Sequence, residues 1–186
     1  MMEHKLRRID RELVYRGSVL DIYKDTMELP NGKKEYWDFV DHRKGGACIV
    51  PVLPDGRILM VRQYRPVIER ETLELPAGAR NSVDEDTKVT AARELLEETG
   101  MTSGKLTLLT KIRPAVAWCS EFTDIYLAED LTREGEQDLD DAEEIGLEPW
   151  DLSELCRRIY AGELQDAKTV AGILAYSNLR MLRERG

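Results

Sequence analysis

The sequence predicts a mixed α/β sandwich. Three observations lead to it. One stretch, Glu85 to Thr99, has the spacing of a central helix and is followed by Gly100, a residue suited to end it. Runs rich in β-branched and apolar residues lie on both sides of that stretch. Two further helical patterns then close the chain.

Taken in order, Val14 to Leu29 reads as β-structure, and Pro30-Asn31-Gly32-Lys33 is a strong turn signal. Lys34 to Val40, with Tyr36, Trp37 and Phe39, is the expected returning strand of a hairpin. Gly46 to Leu53 is the next expected strand, ended by Pro54-Asp55-Gly56, and Arg57 to Tyr64 runs back. Thr72 to Leu75 is a short strand closed by Pro76-Ala77-Gly78, with residues 79–84 expected as a polar loop. In the central helix, Val89, Ala92 and Leu96 are expected as the apolar stripe, opposite Glu94, Glu97 and Glu98. Leu106 to Ile112 and Phe122 to Leu127 are further strands, and 129–142 is expected to be an acidic loop. Ile145 to Trp150 is the last strand, with Asp151 capping a helix that holds Leu152, Leu155 and Ile159. Ala167 to Leu182 is the final helix, and Met27, Met60 and Met101 read as core.

The chain has 186 residues, which suggests one domain, or one domain with an extension, and carries a net charge of -9. Such an acidic chain argues against binding nucleic acid or an anionic membrane through bulk charge. It does not exclude a small anionic substrate, because a bound metal supplies local positive charge. Cys48, Cys119 and Cys156 form neither a CxxC pair nor an even framework, and His4 and His42 form no ligand pair. Isolated thiols, no signal-peptide pattern and no long apolar run give the expectation of a cytoplasmic protein without a membrane partner.

The chemistry is concentrated in Arg93-Glu94-Leu95-Leu96-Glu97-Glu98-Thr99-Gly100. Offsets of three and four put the three glutamates on one helix face, where like charges repel. A hard divalent cation that prefers oxygen reverses that repulsion. The bland alternative is a solvated acidic face.

Extended outward, the pattern is Gly78, six residues, Glu85, seven residues, Arg93-Glu94-Leu95-Leu96-Glu97-Glu98-Thr99-Gly100-Met101. It resembles the Nudix box, with one more residue between Gly78 and Glu85 than that box usually has. The flanks Arg62-Gln63-Tyr64-Arg65-Pro66, Glu74-Leu75-Pro76-Ala77-Gly78 and Asp166-Ala167-Lys168-Thr169-Val170-Ala171 resemble the ADP-ribose pyrophosphatase branch of that family.

The resemblance implies an α/β/α sandwich around a mixed sheet (residues 43–186) behind an N-terminal antiparallel β extension (1–42), the extension joining two subunits as a homodimer. It implies Mg2+, with Mn2+ able to substitute, held by Glu94, Glu97, Glu98 and the carbonyl of Ala77. Glu97 is also a catalytic candidate. Glu85, Arg93 and Gly78 are expected to support the ligands. Arg65 matches a phosphate-contacting arginine, whose fork suits phosphate, and Trp37 an adenine-stacking tryptophan. Arg43 is a weaker substrate candidate, and Trp118 an alternative stacking residue. Glu121 is the expected general base, with Glu144 as the alternative.

The implied reaction is hydrolysis of the diphosphate of ADP-ribose or a related nucleoside diphosphate sugar, giving AMP and ribose 5-phosphate from ADP-ribose. Ala115-Val116-Ala117 stands where the branch usually has Ser-Pro-Gly, which keeps UDP- and GDP-sugars or a nucleoside triphosphate open as substrates. A non-catalytic nucleotide sensor is the alternative from another functional class.

Overall fold

The computed structural model describes residues 6–139 and 144–185, and the chain divides into two compact units. His4 and the end of the expected acidic loop, at 140–142, lie outside the described residues.

The first unit holds the residues up to Gly45 together with Arg113–Phe122. Its strands β1 (Arg7–Arg16), β2 (Leu20–Glu28) and β3 (Lys34–His42) form an antiparallel sheet in sequence order. The β2–β3 turn is where the Pro-Asn-Gly signal puts it. Gly32 has φ +80° there, and the Asn31 side chain accepts from the Lys33 amide at 3.0 Å. The single β run expected from Val14 is instead two strands, broken at Gly17, whose amide donates to the Leu20 carbonyl at 2.9 Å. The first strand escapes a hydropathy reading because it is mostly charged. Cross-strand pairing stabilises it: Arg11 grips Asp25 through two bonds of 2.6 Å and stacks over Phe39 at 4.2 Å. Arg113–Phe122 joins this sheet through Trp118, whose carbonyl accepts from the Val40 amide at 2.7 Å.

The second unit, Gly46–Ile112 with Thr123–Gly186, carries two sheets. Strands β4 (Gly46–Pro51), β7 (Ala77–Ala79), β8 (Met101–Ile112) and β9 (Thr123–Arg133) form a mixed sheet in the order β7-β4-β9-β8, with β4 and β9 parallel. Strands β5 (Ile58–Arg65), β6 (Arg70–Glu74) and β10 (Ile145–Trp150) form an antiparallel sheet in the order β10-β5-β6. Side chains alternate across β4, so its two faces face different helices. Ala47 and Ile49 pack with Ala91 and Leu95 of α1 (Thr87–Thr99). Cys48 and Val50 pack with Leu155 of α2 (Leu152–Tyr160) and with Ile173 and Tyr176 of α3 (Ala167–Arg185). Helices on both faces of a mixed sheet make the expected α/β/α sandwich. At Gly172 of α3 the absence of a side chain permits close packing, because a Cβ would lie 2.6 Å from Leu75 Cδ1.

Four local expectations are corrected. The apolar stripe on α1 is misplaced: Val89, Ala92 and Leu96 are exposed, while Thr87, Thr90, Ala91, Glu94, Leu95 and Glu98 are buried. The carboxylates Glu94 and Glu98 therefore share the inward face with Leu95, because that face meets groups able to bind them. Residues 129–133 of the expected acidic loop continue β9, paired with Met101–Lys105 and fastened by a 2.8 Å Lys105–Glu129 ion pair. Asp151 stands at the N-cap of α2, but its side chain makes no cap bond; its backbone carbonyl accepts from Leu155. Met60 is core, whereas Met27 and Met101 are half-buried.

Candidate active site

The second unit builds the acidic site from a short strand, a loop and a helix. Asp86 caps α1 by accepting from the Lys88 amide at 2.8 Å, and Gly100 ends it at φ +68°. A helix fixed at both ends presents Glu94 and Glu98 toward β7. The Ala77 amide donates to Glu98 Oε2 at 3.2 Å. Gly78 has no side chain where one would run into the Glu94 carboxylate.

Arg93 ties this face together. Its Nη1 donates to Glu97 Oε2 at 2.8 Å and pairs with Glu94 Oε1 at 2.7 Å. Its Nη2 donates to the Ala79 carbonyl at 2.9 Å and lies 3.9 Å from Glu85 Oε2. Burial opposes a charge on Arg93, but the carboxylates of Glu94 and Glu97 overcome it and raise its pKa. Glu85 closes the loop from the other side, accepting from the Asn81 amide at 2.7 Å and the Thr90 hydroxyl at 2.9 Å. The Asn81 bond is the main reason its pKa lies below the usual value. The longer Gly78–Glu85 spacing is taken up in a turn. There Arg80 donates to the carbonyls of Val83 and Glu85, and the Glu85 amide donates to that of Ser82.

A second cluster adjoins the first and was missed in the sequence. Glu74, only 2% exposed, accepts two bonds from Arg65 at 2.8 and 2.7 Å, one from Lys168 at 2.5 Å and one from Thr72 at 2.6 Å. Burial alone would raise the Glu74 pKa, yet Arg65 and Lys168 bring it down to about 2. Arg65 is raised in turn, first by its bonds to Glu74 and more weakly by Asp166 and Glu98. It lines a cavity of about 540 Å³ with Arg62, Arg70, Glu74, Arg158 and Lys168. The Asp166-Ala167-Lys168-Thr169 run was the visible signal, but nothing local points Lys168 at a glutamate 94 residues away.

The remaining candidates divide between the units. Trp37, Arg43 and Glu121 belong to the first. Trp37 is 41% exposed, so it is not a core residue. Arg43 donates to the carbonyls of Gly17 at 2.8 Å and Ser18 at 2.6 Å, closing the β1–β2 turn. Glu121 follows a turn in which the amides of Trp118 and Cys119 donate to the Ala115 carbonyl. Glu144 belongs to the second unit and is exposed. It precedes Ile145, whose carbonyl shares the Gln137 amide group with the carbonyl of Glu98.

The donors on the inward face fit a hard divalent cation. They are carboxylate oxygens, two of them on buried residues, beside a glycine whose missing side chain leaves Glu94 its place. Among the described residues no cluster of three His, Cys, Asp or Glu side chains is gathered around one point, and Arg93 takes up oxygens of Glu94 and Glu97.

The NUDIX domain model matches residues 42–171. The chain belongs to the Nudix family. It is 35% identical to an ADP-ribose pyrophosphatase of Bacillus subtilis over 168 residues, 90% of each chain. It is 32% identical to a methanol dehydrogenase activator of Bacillus methanolicus, again over 90% of each. A crystal structure of an ADP compounds hydrolase superposes with a TM-score of 0.86 at 23% identity, covering 100% of this chain and 98% of the other. This Nudix chain therefore shares the fold of that structure, and the chain is an ADP-ribose pyrophosphatase-like Nudix hydrolase. Among the described residues no helix is long and apolar enough to cross a membrane.

Proposed function

We propose that this Nudix hydrolase cleaves the diphosphate bond of ADP-ribose or a related nucleoside diphosphate sugar, giving AMP and ribose 5-phosphate from ADP-ribose. The observation that carries the reading is the inward placement of Glu94 and Glu98 against Gly78 and the Ala77 amide. A solvated acidic helix face would point the other way.

Glu94, Glu97, Glu98 and the Ala77 carbonyl are the groups that would hold Mg2+, or Mn2+ in its place. Bound there, the ion would neutralise diphosphate charge and lower the pKa of a water. Arg93 and Glu85 hold the carboxylates and the loop in register. A water oxygen attacks one phosphorus, the bridging P–O bond breaks, and its electron pair leaves with the other phosphate. The water's proton passes to a carboxylate, Glu121 in the first choice and Glu144 in the second. Arg65, whose Nε and Nη2 are held by Glu74, would turn Nη1 to a phosphate oxygen, and Trp37 its exposed ring to the nucleobase. Arg43, whose Nη2 donates to the Gly17 and Ser18 carbonyls, is the weaker substrate contact.

The three-stranded sheet is the proposed dimer-forming element of a cytoplasmic homodimer. Its exposed Val14, Tyr15 and Tyr36 support that reading. Another nucleoside diphosphate sugar, such as a UDP- or GDP-sugar, is the second reading, favoured by Ala115-Val116-Ala117 standing where the ADP-ribose pyrophosphatase branch usually has Ser-Pro-Gly.

The test is a product assay over ADP-ribose, UDP-glucose, a GDP-sugar and a nucleoside triphosphate, with Mg2+ and with chelator. Release of AMP from ADP-ribose, abolished by chelator, is expected. No cleavage of any compound would overturn the enzymatic reading; preference for UDP-glucose would overturn only the substrate.

A further inference from the structure

Two consecutive residues of α3 fasten two consecutive residues beside the acidic site. Lys168 binds Glu74, and the Thr169 hydroxyl accepts from the Leu75 amide at 2.9 Å. Thr169 and Leu75 are both fully buried, so that amide has no solvent to turn to. The Thr169 hydroxyl is itself oriented, because it donates to Asp166 Oδ2 at 2.6 Å, and the Thr169 amide donates to the same oxygen at 3.0 Å. With its proton directed at Asp166, the hydroxyl presents a lone pair to Leu75.

Leu75 begins the segment that shapes the cradle. The carbonyl of Pro76 accepts from the Ile49 amide at 2.9 Å, Ala77 donates to Glu98, and Gly78 makes room for Glu94. Only one residue separates the Leu75 bond from Ala77. The Thr169 bond at Leu75 and the Ile49 bond at the Pro76 carbonyl thus fix the two ends of the short segment that sets the amide meeting Glu98 and the carbonyl proposed as a metal ligand.

We propose that Thr169 is a positioning residue for the metal cradle: it holds the Leu75–Gly78 segment so that Ala77, Glu94 and Glu98 converge. The proposal rests on the reading of this face as a divalent-metal site. Thr169 touches neither metal nor substrate; it acts through the Leu75 peptide. Unlike a change at Lys168 or Asp166, a change at Thr169 removes no formal charge near the cradle, so an effect on cation binding reports the loss of the hydroxyl's two hydrogen bonds.

The test uses full-length protein and Mn2+ alone, with free Mn2+ followed by electron paramagnetic resonance. Thr169→Val keeps the shape and removes the acceptor. Its Mn2+ dissociation constant is expected to rise about tenfold, in the range seen when groups supporting metal ligands are removed. Thr169→Ser, which keeps the hydroxyl, is expected to stay within about twofold of the unaltered protein. Circular dichroism establishes that each variant is folded, and Thr169→Ala replaces Thr169→Val if the latter does not fold. A folded hydroxyl-free variant that binds Mn2+ as tightly as the unaltered protein overturns the proposal, even where its melting temperature has fallen. Failure of the product assay with this Mn2+ difference intact would overturn the proposed reaction and leave the positioning role standing.

Discussion

The Glu94 carboxylate occupies the space that a side chain at Gly78 would need. Glycine at this position serves volume and not backbone freedom, since Gly78 is not among the residues with positive φ. Gly78→Ala should therefore fold, because the obstructing group is the far end of a flexible side chain. We expect stability within about 1 kcal/mol of the unaltered protein. Activity should fall about 100-fold, the scale of a displacement near 1 Å at a reacting centre. Chemical denaturation and steady-state kinetics on one sample check both halves; unchanged kcat would show that Glu94 need not sit where it does.

Glu98 is 2% exposed on the same inward face. Without a cation, crowded carboxylates cost stability; with one, they hold it. Glu98→Gln should thus be at least as stable as the unaltered chain in chelator. Mg2+ at about 100 times its dissociation constant should add roughly 2.7 kcal/mol to the unaltered chain, or about 5–10 °C in melting temperature. The variant should lose that increment and most of its activity. A thermal-shift titration with Mg2+ reads both arms, and an equal shift in the variant would remove Glu98 from the ligand set.

Arg93 reaches Glu94, Glu97, Glu85 and the Ala79 carbonyl from one planar fork. A lysine ammonium keeps the charge but cannot span those directions. Arg93→Lys should lower stability by about 1–2 kcal/mol and weaken Mn2+ binding about tenfold. Urea unfolding and Mn2+ titration check this; a variant equal to the unaltered protein in both would reduce Arg93 to a counter-charge.

Much of this site could be read from residue spacing, and the reason is local. Arg93, Glu94, Glu98 and Gly100 lie on one helix or at its end, so helical periodicity fixes their relations, whereas the helix begins at Thr87 behind an Asp86 cap and leaves Glu85 on the loop before it. The reading failed on which way the helix faces. Charged residues are ordinarily placed outward, and it takes partners such as the Ala77 amide, the space at Gly78 and the Arg93 guanidinium to make an inward Glu94 and Glu98 tolerable. The Arg65–Glu74–Lys168 cluster stayed hidden for a related reason. The Lys168–Glu74 pair is brought together by α3 packing on the sheet, which sequence spacing does not encode. The part of β1 before Val14 was missed because its stabilising partners are charges across the sheet and not an apolar pattern.

Glu74 gives that hidden cluster a measurable pH dependence. Its folded pKa of about 2 lies below its ordinary 4.5, so it contributes stability that is full above pH 4.5 and lost as pH falls toward 2. The difference corresponds to about 3 kcal/mol. Glu74→Gln should lose roughly that amount at pH 7, and the gap between variant and unaltered protein should narrow as pH drops through the same window. Urea unfolding between pH 7 and pH 2 tests it. A gap that stays constant would mean that the Arg65 and Lys168 pairs contribute no proton-linked stability.

The base is decided by rate and not by binding. A carboxylate that removes the water's proton acts in the transition state, so its amide variant should lower kcat with little change in KM. Glu121→Gln should reduce kcat by about 100-fold or more, within the range of general-base contributions. Glu144→Gln should leave kcat within a few-fold, since an exposed residue beyond β9 is expected to be a spectator. The pH profile supplies the second readout. Removing the base should abolish the acidic limb of kcat against pH, while removing a spectator leaves it in place. If instead Glu144→Gln loses rate and the acidic limb while Glu121→Gln keeps both, the base lies beside Ile145, where Gln137 already ties the backbone to Glu98.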